Sequence, residues 1–151
     1  QQLVPLNTAL KENLRTYLSQ FRMLTDAINI KTAFIVNIGV EADIIPTPNS
    51  NSQEVILRVV NRLRELLHVD RMQINGPINI SNLMAELDKV RGVQTVAGLS
   101  IKNLFNTVTG YSQYVYDIEG ATKNGIIYPS LDPMIFEVRF PNKDIKGRIV
   151  S

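Results

Sequence analysis

Leu10, Leu14, Leu18, Phe21 and Leu24 recur at three- and four-residue steps, a spacing that lines one face of a helix over residues 7–24. The period then changes to two. Phe34, Val36, Ile38 and Val40 alternate in a stretch rich in β-branched residues, which predicts a strand over 32–40 with one buried face, ended by Pro46-Thr-Pro48. Ser50 with Gln53, or Asn51 with Glu54, has capping-box spacing ahead of Val55, Ile56, Val59, Val60, Leu63, Leu66 and Leu67, so a second helix is expected to run to about His68. Gly76-Pro77 breaks the chain. Asn79 or Ser81 can then cap a short helix to Val90 that buries Leu83, Met84 and Leu87, with Gly92 closing it. Val93, Thr95, Ala97, Leu99 and Ile101 predict a second long strand, in which Gly98 marks a bulge or a close backbone approach.

Beyond Phe105 helix signals vanish and β and turn signals replace them, with Asn124-Gly125 suited to a type I′ hairpin turn. Pro133 and Pro141 bracket residues 134–140, where each proline removes a donor and limits extension of the strand. Phe136, Val138 and Phe140 share one side of it, and Ile135, Glu137 and Arg139 share the other, so one face is apolar and one charged. The expected fold class is α+β: a small sheet with amphipathic helices on one face over residues 1–106, and a β-rich C-terminal portion over 107–151 packed on or reaching beyond it. Few strands and no phosphate-binding glycine turn argue against a doubly wound sheet.

The chain has 151 residues, 44% of them hydrophobic and 20% charged, values of an ordinary globular domain large enough for one core. The net charge of +2 comes from interspersed signs. No run combines clustered Lys or Arg with stacking aromatics, so no nucleic-acid partner is expected. Without cysteine there is no disulfide, thiolate nucleophile or Cys-based metal site. The strongest apolar run, 33–40, falls short of the ~20 residues that span a bilayer, and no membrane role is expected. The opening residues carry neither an initiator Met nor a signal peptide, so the sequence is expected to be a piece of a longer protein.

Candidate chemistry is sparse. His68 beside Asp70 suggests a serine–histidine–aspartate site, but no nucleophile elbow accompanies it and a polar helix end explains the pair better. Glu41 and Asp43 form a carboxylate pair of the kind used in glycoside or hard-metal chemistry, and exposed acids at a strand end are the preferred reading. Asn79-Ile-Ser81 matches a glycosylation sequon without a secretory context. No catalytic, cofactor or metal residue is assigned, and neither an enzyme nor a small-molecule substrate is expected. Tyr111, Tyr114, Tyr116 and Tyr128 gather amphipathic rings suited either to this domain's own sheet or to an interface.

Leu14-Arg-Thr-Tyr-Leu18 leading to Arg22-Met-Leu-Thr-Asp26, the strand at 33–40, the helix at 51–67, Gly76-Pro-Ile-Asn-Ile-Ser-Asn-Leu83 and Arg91-Gly-Val-Gln-Thr-Val96 follow one another in an order that resembles the baseplate J-like wedge proteins of contractile-tailed phages. The succession covers residues 10–100. Residues 121–133 and 136–145 resemble the C-terminal end of the larger wedge proteins of T-even-like phages within that family. The resemblance implies a structural virion protein of the tail baseplate, assembled in the host cytoplasm, that forms homodimers, contacts other wedge proteins and joins wedges into a ring around the hub. It implies no cofactor. A two-fold contact needs self-complementary patches, which places Tyr114, Tyr116, Phe136, Val138, Phe140 and Ile145 in a dimer or wedge interface. A small-molecule-binding α+β regulatory module is the alternative.

Overall fold

The computed structural model describes residues 3–4, 7–19, 33–130 and 132–151. Helix α1 (Thr8–Ser19) is capped by Asn7, whose Oδ1 accepts the Leu10 N–H at 2.7 Å. Its expected continuation to residue 24 lies outside the described residues. Strand β1 (Phe34–Pro46) is longer than the alternation at 32–40 implies, and its even-numbered residues Val36, Ile38, Val40, Ala42 and Ile44 are all buried. Helix α2 (Ser52–Leu66) starts at Asn51, one of the two expected caps, whose Oδ1 accepts from the Gln53 and Glu54 amides. It directs Val55, Val59 and Leu63, spaced by four, into the core.

A 3₁₀ turn (Val69–Arg71) leads to the short strand β2 (Ile78–Asn79) and helix α3 (Ile80–Asp88), capped by Asn79. Strand β3 (Val93–Leu104) then pairs antiparallel with β1 along nearly its whole length. Asp43 faces Gly98 while Ile44 faces Val96, so Ala97 is the extra residue of a bulge beside the glycine that signalled one. The C-terminal half contributes a four-residue helix α4 (Ile118–Ala121), the hairpin β4 (Thr122–Lys123) and β5 (Ile126–Ile127), strand β6 (Met134–Glu137), a second four-residue helix α5 (Pro141–Asp144) and strand β7 (Ile145–Ile149). Asn124 and Gly125 both have positive φ, as the type I′ turn requires.

The molecule is α+β. β1 is central, with β3 on one side and, on the other, β6 and then β7, both parallel to it and separated by the jog of α5. A second sheet, β2–β5–β4, extends the core. The 107–151 portion thus supplies strands to the same sheet as β1 and β3, and the division at 106/107 falls between stretches that share one hydrophobic core. Helix signals do not end at Phe105: α4 and α5 are single turns, too short to show an apolar period. The expected strand over 134–140 stops at Glu137, and Pro141 takes the first position of α5, where its missing N–H costs nothing. At Gly147 the helix α2 crosses β7 so closely that a Cβ would lie 3.1 Å from the Ile56 side chain.

Candidate functional site

The two faces of the main sheet differ. Val36, Ile38, Val40, Ala42 and Ile44 of β1, with Met134 and Phe136 of β6 and Ile145 of β7, belong to the hydrophobic core to which α2 and α3 add their buried residues, whereas Phe34 at the start of β1 is exposed. Odd positions face away from these helices and divide into a covered end and an open end.

At the covered end the 105–117 connection folds over Asn37 and Glu137, which the parallel register sets side by side. The Asn37 side-chain amide donates to Glu137 Oε1 at 2.7 Å, and its Oδ1 accepts the Ser112 N–H at 2.6 Å. Its backbone carbonyl accepts from the Asn103 side chain, whose Oδ1 accepts in turn from the Tyr116 N–H at 2.8 Å. Glu137 is 1% exposed. Its Oε1 also receives Arg139 Nε at 2.9 Å, and its Oε2 receives the Leu3 N–H at 2.5 Å. Arg139 completes the cluster by donating to the Gly110 and Leu3 carbonyls. A buried carboxylate is tolerable only when paired and hydrogen-bonded, and here one charge ties β1, β6, the long connection and the chain at Leu3 together.

A second tie lies beside it. The Tyr111 hydroxyl donates to Asp144 Oδ1 at 2.8 Å, its ring meets Phe140 edge-on at 5.5 Å, and the Lys143 ammonium sits 5.6 Å from the ring centre. Burial, and then the Asp144 carboxylate, push the Tyr111 hydroxyl up to about 12.

The open end carries Glu41, Asp43, Ser100, Lys102, Lys146 and Arg148. Arg148 grips both oxygens of Asp43 at 3.0 and 3.1 Å, with Glu41 at 3.6 Å, and those carboxylates hold its guanidinium above the ordinary arginine range. The Glu41–Asp43 pair is therefore occupied by a cation of its own chain, and the two acids are half-buried within β1 where exposed acids at a strand end were expected.

The residues expected at an interface separate into two sets. Phe136, Val138 and Ile145 are buried within this protomer: Phe136 lies in β6 with the Tyr116 ring edge-on to it, Ile145 in β7, on which α2 packs, and Val138 in the link between β6 and α5. They serve the chain's own core, so the apolar face of the proline-bracketed segment is not offered outward. The charged face expected on its other side is likewise covered at Glu137, by the 105–117 connection. Tyr114, Tyr116 and Phe140 stay half-buried. Tyr114 stacks on Phe34 at 4.6 Å, and Tyr116 meets Phe136 edge-on while donating its hydroxyl to the Tyr128 carbonyl. Beside the stacked pair a cleft of about 390 Å³ is lined by Ile35, Ser112, Gln113 and Arg139.

His68 caps the 3₁₀ turn, its Nδ1 accepting the Asp70 N–H at 3.2 Å, which is the local polar role that a helix end calls for. Among the described residues no group of three or more His, Cys, Asp or Glu is arranged to hold a metal, and no helix is long and apolar enough to cross a membrane. Sequence reasoning missed the Asn37–Glu137 pairing. Its one local signal was an asparagine interrupting the apolar run 33–40. No protein-family model matches the chain, and no curated protein matches it.

Proposed function

We propose that this chain is a structural subunit of a contractile phage-tail baseplate wedge, one that dimerises and joins neighbouring wedges into a ring around the hub, and that it acts by contacts and not by catalysis. The observation that carries this reading is the use of the buried polar groups: Asn37, Glu137 and Asp144 each lock separate parts of the chain to one another. Such ties favour a stiff body that passes a displacement from one neighbour to the next, the behaviour a ring subunit needs when the ring changes shape. The succession of segments along residues 10–100 and 121–145 supports the assignment to a wedge. Gold-labelled antibody fragments against the chain, imaged on contractile-tailed particles from its source, are expected to decorate the tail end. An unlabelled baseplate would overturn the proposal.

The cleft beside Phe34 and Tyr114 favours a second reading, a small-molecule-binding module, because its size falls within the range of ligand pockets, roughly 300–1,000 Å³. A metabolite that binds the native state raises the melting temperature by mass action. A thermal-shift screen that yields such a compound, with the effect lost in Tyr114→Ala, would favour this reading.

A further inference from the structure

We infer that the outer edge of β3 is where a second copy of this chain adds its own β3, antiparallel about a two-fold axis at Ser100; this rests on the assembly reading and names its surface. β3 ends the sheet. Two side-chain contacts frame its edge: Asp88 Oδ1 takes the Val96 N–H at 3.0 Å, and Asn103 Oδ1 takes the Tyr116 N–H at 2.8 Å. Between them, among the described residues, the backbone of 97–102 hydrogen-bonds to no element except β1. Natural edges are blunted by charges, prolines or interruptions. The opposite edge of this sheet follows that rule, broken by α5 and carrying Lys146 and Arg148, whereas the window on β3 has only Lys102.

The window is self-complementary about Ser100. In that register Leu99 meets Ile101 on the helix side of the sheet, and Gly98 meets Lys102 on the open side, each pair occurring twice by symmetry. A side chain at Gly98 would stand 3.7 Å from Asp43 Oδ2. Its absence leaves a lane through which the second copy's Lys102 reaches Asp43. Lys102 is exposed and has no ion pair within its own chain among the described residues. Asp43 already accepts from Arg148, and a carboxylate retains lone pairs for a further donor.

The chain has no cysteine, so Ser100→Cys introduces a single thiol. On the two-fold axis the paired Cα atoms lie about 4.5–5.5 Å apart, inside the ~4.4–6.8 Å range of disulfides. Light scattering is expected to give twice the protomer mass, with mild oxidation linking Ser100→Cys quickly and the exposed controls Thr95→Cys and Lys146→Cys slowly. Lys102→Glu places like charges at Asp43 and is expected to weaken the dimer about tenfold or more, with the circular dichroism of the protomer unchanged. A dimer that links no faster through Ser100→Cys than through the controls, or that ignores Lys102→Glu, overturns the β3 edge and leaves the assembly reading standing. A strict monomer at high concentration overturns both.

Discussion

The two ends of one sheet face use the same kinds of residue to opposite effect. Glu137 with Arg139 and Asp43 with Arg148 are both arginine–carboxylate pairs on the same face of the sheet, at 2.9 and 3.0 Å. The first lies under the 105–117 connection, its carboxylate 1% exposed; in the second the side chains are 61% and 30% exposed. Cover, and not contact distance, decides what each is worth. Under cover an unpaired charge has no water to return to, so removing one partner is costly. In the open, water replaces a lost partner and the pair contributes little.

The largest expected effect is therefore at the covered end. Glu137→Ala leaves Arg139 Nε, the Asn37 amide and the Leu3 N–H without the acceptor they share and Arg139 without its counter-charge, and is expected to cost about 3–5 kcal/mol, measured by urea unfolding. Tyr111→Phe is expected to cost about 1–3 kcal/mol by leaving Asp144 without its donor. It also changes the alkaline limb. The Tyr111 proton is held more tightly in the folded state, at about 12 against ~10 in the unfolded chain, so its contribution is complete below pH ~10 and is lost as pH rises through about 12. The stability of the variant should fall less over that interval than that of the parent. Asp43→Asn, at the open end, is expected to change stability by less than about 1 kcal/mol, an effect that ~1 M salt erases. An Asp43→Asn loss equal to that of Glu137→Ala would break the comparison.

What was legible in the sequence was local. Asn51 and Asn79 as caps, the α2 stripe of Val55, Val59 and Leu63, the bulge beside Gly98 and the Asn124-Gly125 turn each depend on residues a few positions apart. What was hidden depends on distant ones. The alternation around Phe136 correctly separates Glu137 from Phe136, but period two tells only which residues share a side, and not whether that side is wet. Burial of Glu137 follows from pairing with Asn37, one hundred positions away, and from a lid that begins at Phe105. The same limit explains the interface residues. An apolar face needs a cover, and nothing near Phe136, Val138 or Ile145 in the sequence shows that distant parts of the same chain supply it.

Placing β1 between β3 and the β6–β7 pair has a consequence for how the chain is made. Residues 34–44 are made well before residues 134–149, yet one whole flank of that strand waits for them. Closing such a span carries an entropic cost before any contact is gained, which slows folding and prolongs exposure of the unpaired edge of a hydrophobic strand. Nascent chains that stall before residue 134 should therefore be chaperone clients, and release should coincide with arrival of the last two strands.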